Sequence, residues 1–470
     1  MTKTEQQKET ISLLDGWKSM LSEPRSLKER IEEGKDVRSH CSREEHGDWK
    51  PAKHRHDPLE LLKSQQASRL EELIPLRYGR MMQSPFAFYR GSALIMASDL
   101  GTSNHSGLNV QLCGDCHLSN FGVFATPERN VIFDVNDFDE TLPGPFEWDL
   151  KRLAASFAIA AEDNGFSERI GCEAIEAMSK IYRTKMEEYA NMNTLEVWYT
   201  RVDWQFLINK IKKPGRKKEA FERMERLKEK RSHAGALAKL TELVNGKRRI
   251  KDDPPLIFHS PMATEEAIKM LLHTYSKSLW ESRRRLLERY RFIDVAAKVV
   301  GVGSVGTAAA IALLRGEGGE DDYIFLQVKQ AMPSVLERYL GRSQFLHPGE
   351  RIVNGQRLTQ AASDMFLGWT SGPKRDFYIR QLMDLKDSVA VDELDTTTFE
   401  QYAEVCGLVL ARAHARTGDP AMIHGYLGRS SAFDEALVEF SLSYKKQNQK
   451  DFESLVQAVK KGKIKASLRI

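Results

Sequence analysis

Apolar residues recur at helical spacing in several stretches of this chain. The period is clear over residues 59–73 and in DLKRLAASFAIAAEDNGF, which begins at Asp149, and helical segments are expected to continue to about Arg291. Asp149 is placed to cap or anchor the start of its helix. The same spacing returns over residues 399–418 and in the tail from Phe433. The pattern therefore predicts a helix-rich lobe to which the C-terminal helices return.

Strand-like apolar runs occupy two other regions. VIF at residues 131–133 follows the turn residues TPER and is expected to form a strand. Four potential ligands follow it: Asp134, Asn136, Asp137 and Asp139. Farther along, AAKVVGVGSVGTAAAIALLRG predicts a strand, a glycine turn and a second strand, and DDYIFLQVKQA predicts a third. With further strands expected at residues 351–366 and 376–385, the pattern favours an α+β fold with a smaller antiparallel β lobe.

The length of the chain sets the number of lobes. A chain of 470 residues exceeds one ordinary core, so two or three lobes are expected. Residues 1–58 are strongly charged, and we expect them to wrap a lobe or to be partly disordered. The change of pattern then predicts a helical lobe at 59–290, a β-rich lobe at 291–386 and C-terminal helices at 387–470.

Composition indicates where the protein is located in the cell more clearly than it indicates a function. No run approaches the roughly 20 apolar residues that cross a bilayer, and the start of the chain lacks an apolar signal core, so a cytoplasmic protein without a membrane partner is expected. The formal charge of +4 identifies no partner. Basic runs occur without aromatic interleaving, so nucleic acid is not an expected partner. The sequence does not indicate an oligomeric state.

The stretch QLCGDCHLSNFG, residues 111–122, supports two interpretations. Cys113-Gly-Asp-Cys116-His117 has the form that attaches haem covalently, but that attachment normally belongs to an exported, oxidising compartment. A zinc site lacks a second ligand pair. Five cysteines in so long a chain are more typical of free thiols than of a disulfide framework.

The second interpretation is an acid–amide pair for phosphoryl transfer. Asp115 in a loop can orient a hydroxyl and accept its proton, and Asn120, five residues later, can bind a metal ion through its amide oxygen. Asp137 on the following strand is the second expected metal ligand. His117 lies between the two loop residues, and a structural role is expected for it because the loop already contains an acid.

A glycine turn and a strand lysine form a second cluster. Gly301-x-Gly303-x-x-Gly306 alone is a weak signal, and a dinucleotide-binding site is one alternative if AAAIALLRG forms a helix followed by an acidic residue. Lys329 lies on the apolar strand that follows, where an ammonium group is unfavourable unless it meets an anion. This pairing favours a loop over phosphates, with Glu337 placed to hold the lysine.

These residues together carry a resemblance. GDCHLSN with NDFDE resembles the catalytic and metal-binding loops of protein-kinase-like phosphotransferases, and is most similar to the aminoglycoside and choline kinase branch. WDLKRLA resembles the helix start that follows the metal loop there, with Asp149 as its anchor. From about residue 58 to the C-terminus, segments such as SPFAFYRG, FDVNDFDETLPGPFEWDLKR and LARAHARTGD closely resemble an uncharacterised bacterial domain-of-unknown-function family.

Two features depart from the kinase pattern. The glycine turn and Lys329 follow Asp115 and Asp137 in the chain, whereas ordinary kinases have the opposite order. A circular permutation explains that order. Cys113 stands where the aminoglycoside-kinase pattern usually has His, which leaves the acceptor contacts open.

The resemblance implies a two-lobed, circularly permuted kinase-like fold that binds ATP and Mg²⁺. It implies that Asp115 is the catalytic base, that Asn120 and Asp137 bind the metal, and that Lys329 contacts the ATP phosphates. The backbone amides of the glycine turn would approach those phosphates. The acceptor would be a hydroxyl of a small molecule or a protein. Two other functions are alternatives to a phosphotransferase: an inactive nucleotide-binding scaffold and, less favoured, an NAD(P)-binding oxidoreductase. His414 and His424 either line an acceptor pocket or have a packing role.

Overall fold

A computed structural model describes residues 23–468 of the protein, apart from 211–213, 231–232, 255, 260–264, 300, 302, 304, 320 and 383–386. Residues 1–22 of the predicted charged extension therefore lie outside the described residues. Within the described part, no helix has both the length and the apolar character needed to cross a membrane.

The helices in chain order are α1 Leu27–Asp36, α2 Pro58–Ser64, α3 Ile74–Met81, α4 Pro85–Arg90, α5 Ala93–Leu100, α6 Glu147–Asp163, α7 Glu168–Ala190, α8 Thr194–Tyr199, α9 Trp204–Lys210, α10 Pro214–Lys230, α11 His233–Leu240, α12 Glu265–Ser276, α13 Glu281–Leu287, α14 Glu337–Leu340, α15 Pro348–Thr359, α16 Thr396–Ala415, α17 Pro420–Leu427 and α18 Ala432–Lys460. The strands are β1 Asn109–Leu112, β2 Phe121–Ala125, β3 Val131–Val135, β4 Leu142–Pro145, β5 Thr241–Val244, β6 Lys247–Ile250, β7 Ile257–Phe258, β8 Arg291–Lys298, β9 Ala309–Arg315, β10 Tyr323–Ala331, β11 Gly368–Ser371, β12 Asp376–Gln381 and β13 Asp387–Ser388.

A large helical core lies beside the loops that carry Asp115 and Asp137. Helices α6, α7, α16 and α18 pack together, and the pairs β1–β4 and β2–β3 lie against them. The apolar face of α16 is buried along α7, as the helical spacing over residues 399–418 predicts. The C-terminal helices α16 and α18 pack against α7, and α1 packs on α17.

A six-stranded antiparallel sheet forms the second part, in the order β11-β12-β10-β9-β8-β7. Alternate residues of β9 and β10 point to opposite faces, as strand geometry requires. Leu326 and Val328 join a core with α12 and α13, whereas Tyr323 and Phe325 join a core with α11. Both faces are thus covered, and all nine residues of β10 are buried. The α+β class, with small antiparallel sheets, is confirmed.

Two expectations about helices and strands are wrong. The helical region was expected to reach about Arg291, but a β5–β6 hairpin interrupts it at an Asn245-Gly246 turn, where both residues have positive φ (50° and 74°). Asn-Gly is a strong hairpin signal, and it outweighs the surrounding helical pattern. Residues 351–366, expected as a strand, begin within helix α15 instead.

The start of α15 explains that second error. The His347 side chain accepts hydrogen bonds from the backbone amides of Gly349 (2.9 Å) and Glu350 (3.3 Å), and Pro348 occupies the first turn. These capping contacts favour a helix although Ile352 and Val353 have high strand propensity. The strand expected at 376–385 is present over Asp376–Gln381.

Candidate functional site

The loop between β1 and β2 is held by a carboxylate from α6. Asp149 accepts hydrogen bonds from the backbone amides of Cys113 (2.6 Å) and Gly114 (3.0 Å). Gly114 has a φ of 89°, and a Cβ there would lie 2.2 Å from the carbonyl oxygen of Glu140, so only glycine fits. Phe146, rather than Asp149, is the N-cap residue of α6. Asp149 therefore anchors the loop instead of capping its own helix.

Asp115 projects from this loop into a cavity. Its Oδ1 accepts a hydrogen bond from Arg152 Nε (2.9 Å) and forms an ion pair with Nη2 (2.8 Å), and its Oδ2 lies 3.8 Å from His117 Nε2. Arg152 is itself fixed above the Tyr89 ring, 3.8 Å from its centroid. Burial raises the pKa of Asp115; Arg152 opposes this rise, and Asp137 adds to it. Arg152 therefore orients one carboxylate oxygen, and no described residue donates a hydrogen bond to Oδ2.

Asn120 connects this loop to the strand that carries the next acids. Its side-chain Nδ2 donates to the backbone oxygen of Asp115 (2.7 Å), and its backbone oxygen accepts from the amide of Asn136 (2.8 Å). The first contact occupies the amide nitrogen of Asn120, which is not among the residues that line the cavity. Asp137, next to Asn136, is half-buried and lines the same cavity as Asp115.

Lys329, on β10, lies beside Asp137 and Asp139. Its side chain is 4% exposed, and Nζ lies 2.8 Å from Asp139 Oδ2 and 4.0 Å from Asp137 Oδ2. Tyr378 donates a 2.7 Å hydrogen bond to Asp139 Oδ1. Burial alone would lower the pKa of Lys329, but Asp137 and Asp139 raise it above its ordinary value. The lysine is therefore a buried cation held by acids more than 180 residues earlier in the chain.

Glu337 does not make the contact expected of it. Among the described residues Lys329 pairs with Asp139 and Asp137, whereas Glu337 Oε1 lies 3.7 Å from Arg351 Nε. Arg351, on α15 and 2% exposed, donates to the backbone oxygen of Asp139 (2.8 Å). Glu337 thus acts on the acidic loop through an arginine that the sequence pattern had assigned to a strand.

The described residues of the glycine turn lie beside the cavity. Gly301 and Gly306 adopt left-handed φ values of 68° and 90°, and Gly303 lines the cavity with Asp115 and Asp137. The backbone of Gly306 accepts a 2.7 Å hydrogen bond from the amide of Leu70. The guanidinium groups of Arg69 and Arg80 donate to backbone oxygens of Val305 and Gly301. The turn therefore rests on the segment around α3.

The cavity is small and strongly charged. Its volume is about 70 Å³, which is well below the roughly 300–1,000 Å³ of pockets for drug-sized ligands. Beside the acids named above, it is lined by Glu140, Arg69 and Arg90, which sequence reasoning did not select. Burial raises the pKa of Glu140 to about 7; Arg351 and the Val335 amide oppose the rise, and Asp115 and Asp139 add to it. The cavity fits an ion or a phosphoryl group with a few water molecules.

Cys113 and Cys116 belong to the loop between β1 and β2, and their side chains are buried near Asp149. Their sulfurs and a carboxylate oxygen lie within 4.8 Å of one another, so the three groups form a possible metal-binding set. Asp149 is already hydrogen-bonded to two backbone amides, and burial raises the pKa of the Cys116 thiol well above its ordinary value. Three donors also fall short of the four in a structural zinc site. The set fits protonated, packed thiols better than a metal.

The three histidines lie in separate places. His414 is fully buried between Tyr182 (2.8 Å) and Asp149 (3.3 Å), behind the loop and not in the cavity. His424 on α17 lines a different surface cavity. Burial and the charge of Arg90 hold the pKa of His117 well below its ordinary value, so it is neutral. His414 therefore has a packing role.

Comparison with curated proteins and with solved structures gives no match for this chain. A family model described as DUF2252, an uncharacterized protein conserved in bacteria, matches residues 69–458. The matched part contains both acidic loops, the glycine turn and the lysine strand. Because the match covers well over half of the sequence, the chain belongs to this bacterial DUF2252 family.

Proposed function

We propose that the protein is an ATP- and Mg²⁺-dependent phosphotransferase that acts on a hydroxyl group of a small molecule or a protein. One observation carries the proposal. Lys329 Nζ lies 2.8 Å and 4.0 Å from Asp139 and Asp137, and Asp115 and Gly303 line the same cavity. A base, a metal-binding acid, a phosphate-binding lysine and a glycine turn are the parts that phosphoryl transfer requires, since positioning and charge neutralisation supply most of its rate.

The order of elements around Lys329 supports a kinase-like lobe. The glycine turn joins β8 to β9, Lys329 lies on the next strand, β10, and a helix, α15, follows. Protein kinases also carry the lysine on the third strand, where a helix glutamate pairs with it. Here Asp139 takes that place. We infer a circular permutation from this order, because the catalytic loop precedes the lobe in the chain.

The metal site follows from the chemistry of its donors. The carboxylate of Asp137 and the amide oxygen of Asn120 are hard oxygen ligands, which Mg²⁺ prefers. Bound there, Mg²⁺ would neutralise charge on the phosphate oxygens. Lys329 would exchange part of its contact with Asp139 for those oxygens.

The transfer step uses Asp115 as the base. The acceptor oxygen would form a bond to the γ-phosphorus as the bond from that phosphorus to the β-phosphate bridging oxygen breaks, and ADP would leave. The hydroxyl proton would pass to Asp115 Oδ2, to which no residue in the described part of the chain donates, while Arg152 holds Oδ1. Because the cavity is smaller than a nucleotide, the glycine turn must separate from Arg69 and Leu70 when ATP enters.

An inactive nucleotide-binding scaffold is the second candidate. The ion pair of Asp115 with Arg152 favours it, because that pair partly neutralises the proposed base. The dinucleotide-binding alternative required a helix after the glycine turn. That segment is strand β9 of an antiparallel sheet, so we do not propose an oxidoreductase.

Turnover and binding assays separate the two candidates. We would measure ADP formation and nucleotide binding with Mg²⁺ for the wild type, for Asp115→Asn and for the exposed control Asp392→Asn. The phosphotransferase predicts turnover that Asp115→Asn abolishes without a large loss of binding, and a normal control. Binding without wild-type turnover would favour the scaffold. Absence of both would refute the proposal.

A further inference from the structure

The cavity has a second, basic wall that the proposed transfer step does not use. Arg69 and Arg90 line it, and Arg77 on α3 lies directly behind. Arg77 Nη2 donates to Gln65 Oε1 (2.8 Å) and to the Gly91 backbone oxygen (3.0 Å), and both of these residues line the cavity. We call Arg69, Arg77 and Arg90 the arginine wall.

The arginine wall makes no close ion pair with the described residues, although Asp115 and Asp137 act on Arg90, and Glu140 acts on Arg69, at longer range. Within the described part of the chain, none of the three arginines forms an ion pair, and each has at least one buried guanidinium nitrogen without a hydrogen-bond partner. Arg77 is 1% exposed, and its Nε and Nη1 are both buried without a hydrogen-bond partner among the described residues. Burial lowers the pKa of Arg77 to about 9 and that of Arg69 to about 10. A buried cation without a partner is strongly unfavourable.

Other buried arginines of the chain show the contrast. Arg152 pairs with Asp115, Arg412 lies 2.6 Å from Asp134, and Arg55 contacts Asp99 at 2.6 Å. These three arginines thus lie within ion-pair distance of a carboxylate, although Arg412 also keeps Nε and Nη1 without a hydrogen-bond partner among the described residues. At the cavity the described acids stay beyond ion-pair distance of Arg69, Arg77 and Arg90, and a ligand oxyanion would meet the guanidinium nitrogens that have no partner there.

The position of Arg90 indicates which ligand this is. Its charge interacts with those of Asp115 and Asp137, so it lies on the base side of the cavity. Lys329 faces the same acids from the sheet. A group that contacts Arg90 is therefore placed beside the atom that must take the acceptor proton.

We propose that the arginine wall binds an oxyanion, a phosphate or a carboxylate, carried by the phosphoryl acceptor. The acceptor is then an anionic hydroxyl compound, such as a phosphorylated small molecule, and not a cationic one. This assignment of substrate class rests on the proposed function. The binding of the oxyanion itself does not, because it follows from the unpaired arginines.

The test uses inorganic phosphate as the probe in calorimetric titrations of the full-length protein. Wild type is compared with Arg90→Gln, with Arg90→Lys and with Arg342→Gln, an exposed arginine outside the cavity. We expect Arg90→Gln to bind phosphate about tenfold more weakly or worse. Arg90→Lys should retain part of the affinity, since it keeps the charge but loses the planar fork. The control should match the wild type. Equal affinity in all four proteins, or no binding by the wild type, would overturn the proposal.

A second titration separates the acceptor from the nucleotide. Phosphate is added to protein saturated with Mg²⁺ and a non-hydrolysable ATP analogue. Binding that persists supports an acceptor site, whereas competition assigns the arginines to the nucleotide phosphates and overturns the acceptor assignment. If the analogue itself does not bind while phosphate binding still depends on Arg90, the phosphotransferase proposal fails and the oxyanion site remains. If the analogue binds and phosphate does not, the oxyanion site fails and the phosphotransferase proposal remains.

Discussion

Substitution of Lys329 by methionine isolates the contact on which the site depends. Methionine keeps most of the volume of the buried chain but removes the ammonium that lies 2.8 Å from Asp139 Oδ2. Loss of one partner of a buried ion pair is destabilising by about 3–5 kcal/mol. Because the side chain of Asp139 is 27% exposed and keeps its bond from Tyr378, we expect the lower end, about 3 kcal/mol.

The matched variant removes both charges. Replacement of a whole buried pair by uncharged groups is often close to neutral, so Lys329→Met/Asp139→Asn should lie within about 1 kcal/mol of the wild type. Urea unfolding followed by tryptophan fluorescence at neutral pH gives the free energy of unfolding for each variant. A loss below about 1 kcal/mol in Lys329→Met, or strict additivity in the double variant, would refute the reasoning. The stable double variant also provides a folded protein in which nucleotide binding can be tested without the lysine.

Three further predictions concern the loop and the cavity. Burial raises the pKa of Glu140 to about 7 in the folded protein, against 4.5 in the unfolded chain, so the folded state binds more protons between these values and the wild type loses stability as pH rises through them. Glu140→Gln does not titrate, and it should therefore gain about 1–3 kcal/mol relative to the wild type between pH 5 and pH 8 in urea unfolding. A stability difference that does not change with pH would contradict this. Asp149→Asn should weaken two charge-assisted bonds to the loop, by about 3 kcal/mol in all, and the amides of Cys113 and Gly114 should exchange hydrogen faster; unchanged exchange would show that Asp149 does not anchor the loop. Cys113 and Cys116 should carry no stoichiometric zinc by elemental analysis, and a chelator should leave the melting temperature unchanged; one zinc per chain would overturn our interpretation of these thiols.

The sequence selected several residues that the structure places close together. Asp115 and Asp137 were selected because two carboxylates and the amide of Asn120, close together in one hairpin-like unit, suit a divalent metal ion. Lys329 was selected because an ammonium on a fully apolar strand requires an anion. The structure brings Asp115 and Asp137 to one cavity and places Lys329 Nζ 4.0 Å from Asp137, while their catalytic roles remain a prediction.

Other parts depend on contacts between distant segments, which a local pattern does not contain. Asp139 was a possible metal ligand in the sequence, and its pairing with Lys329 across 190 positions appears only in the fold. Arg90 follows aromatic residues in α4, a pattern typical of an ordinary amphipathic helix, so nothing local marks it as facing the cavity. Residues 351–359 contain strand-forming side chains, but the cap at His347 makes them a helix.

The central claim is that two segments far apart in the chain bind one nucleotide triphosphate from opposite sides. Calorimetric titration of ATP with Mg²⁺ into the wild type, into Asp137→Ala and into the stable Lys329→Met/Asp139→Asn variant tests it most directly. Our account predicts binding by the wild type and a loss of at least about tenfold in affinity in each variant, since each removes a charged contact to the phosphates or their metal ion. No binding by the wild type, or equal affinity in all three proteins, would contradict it.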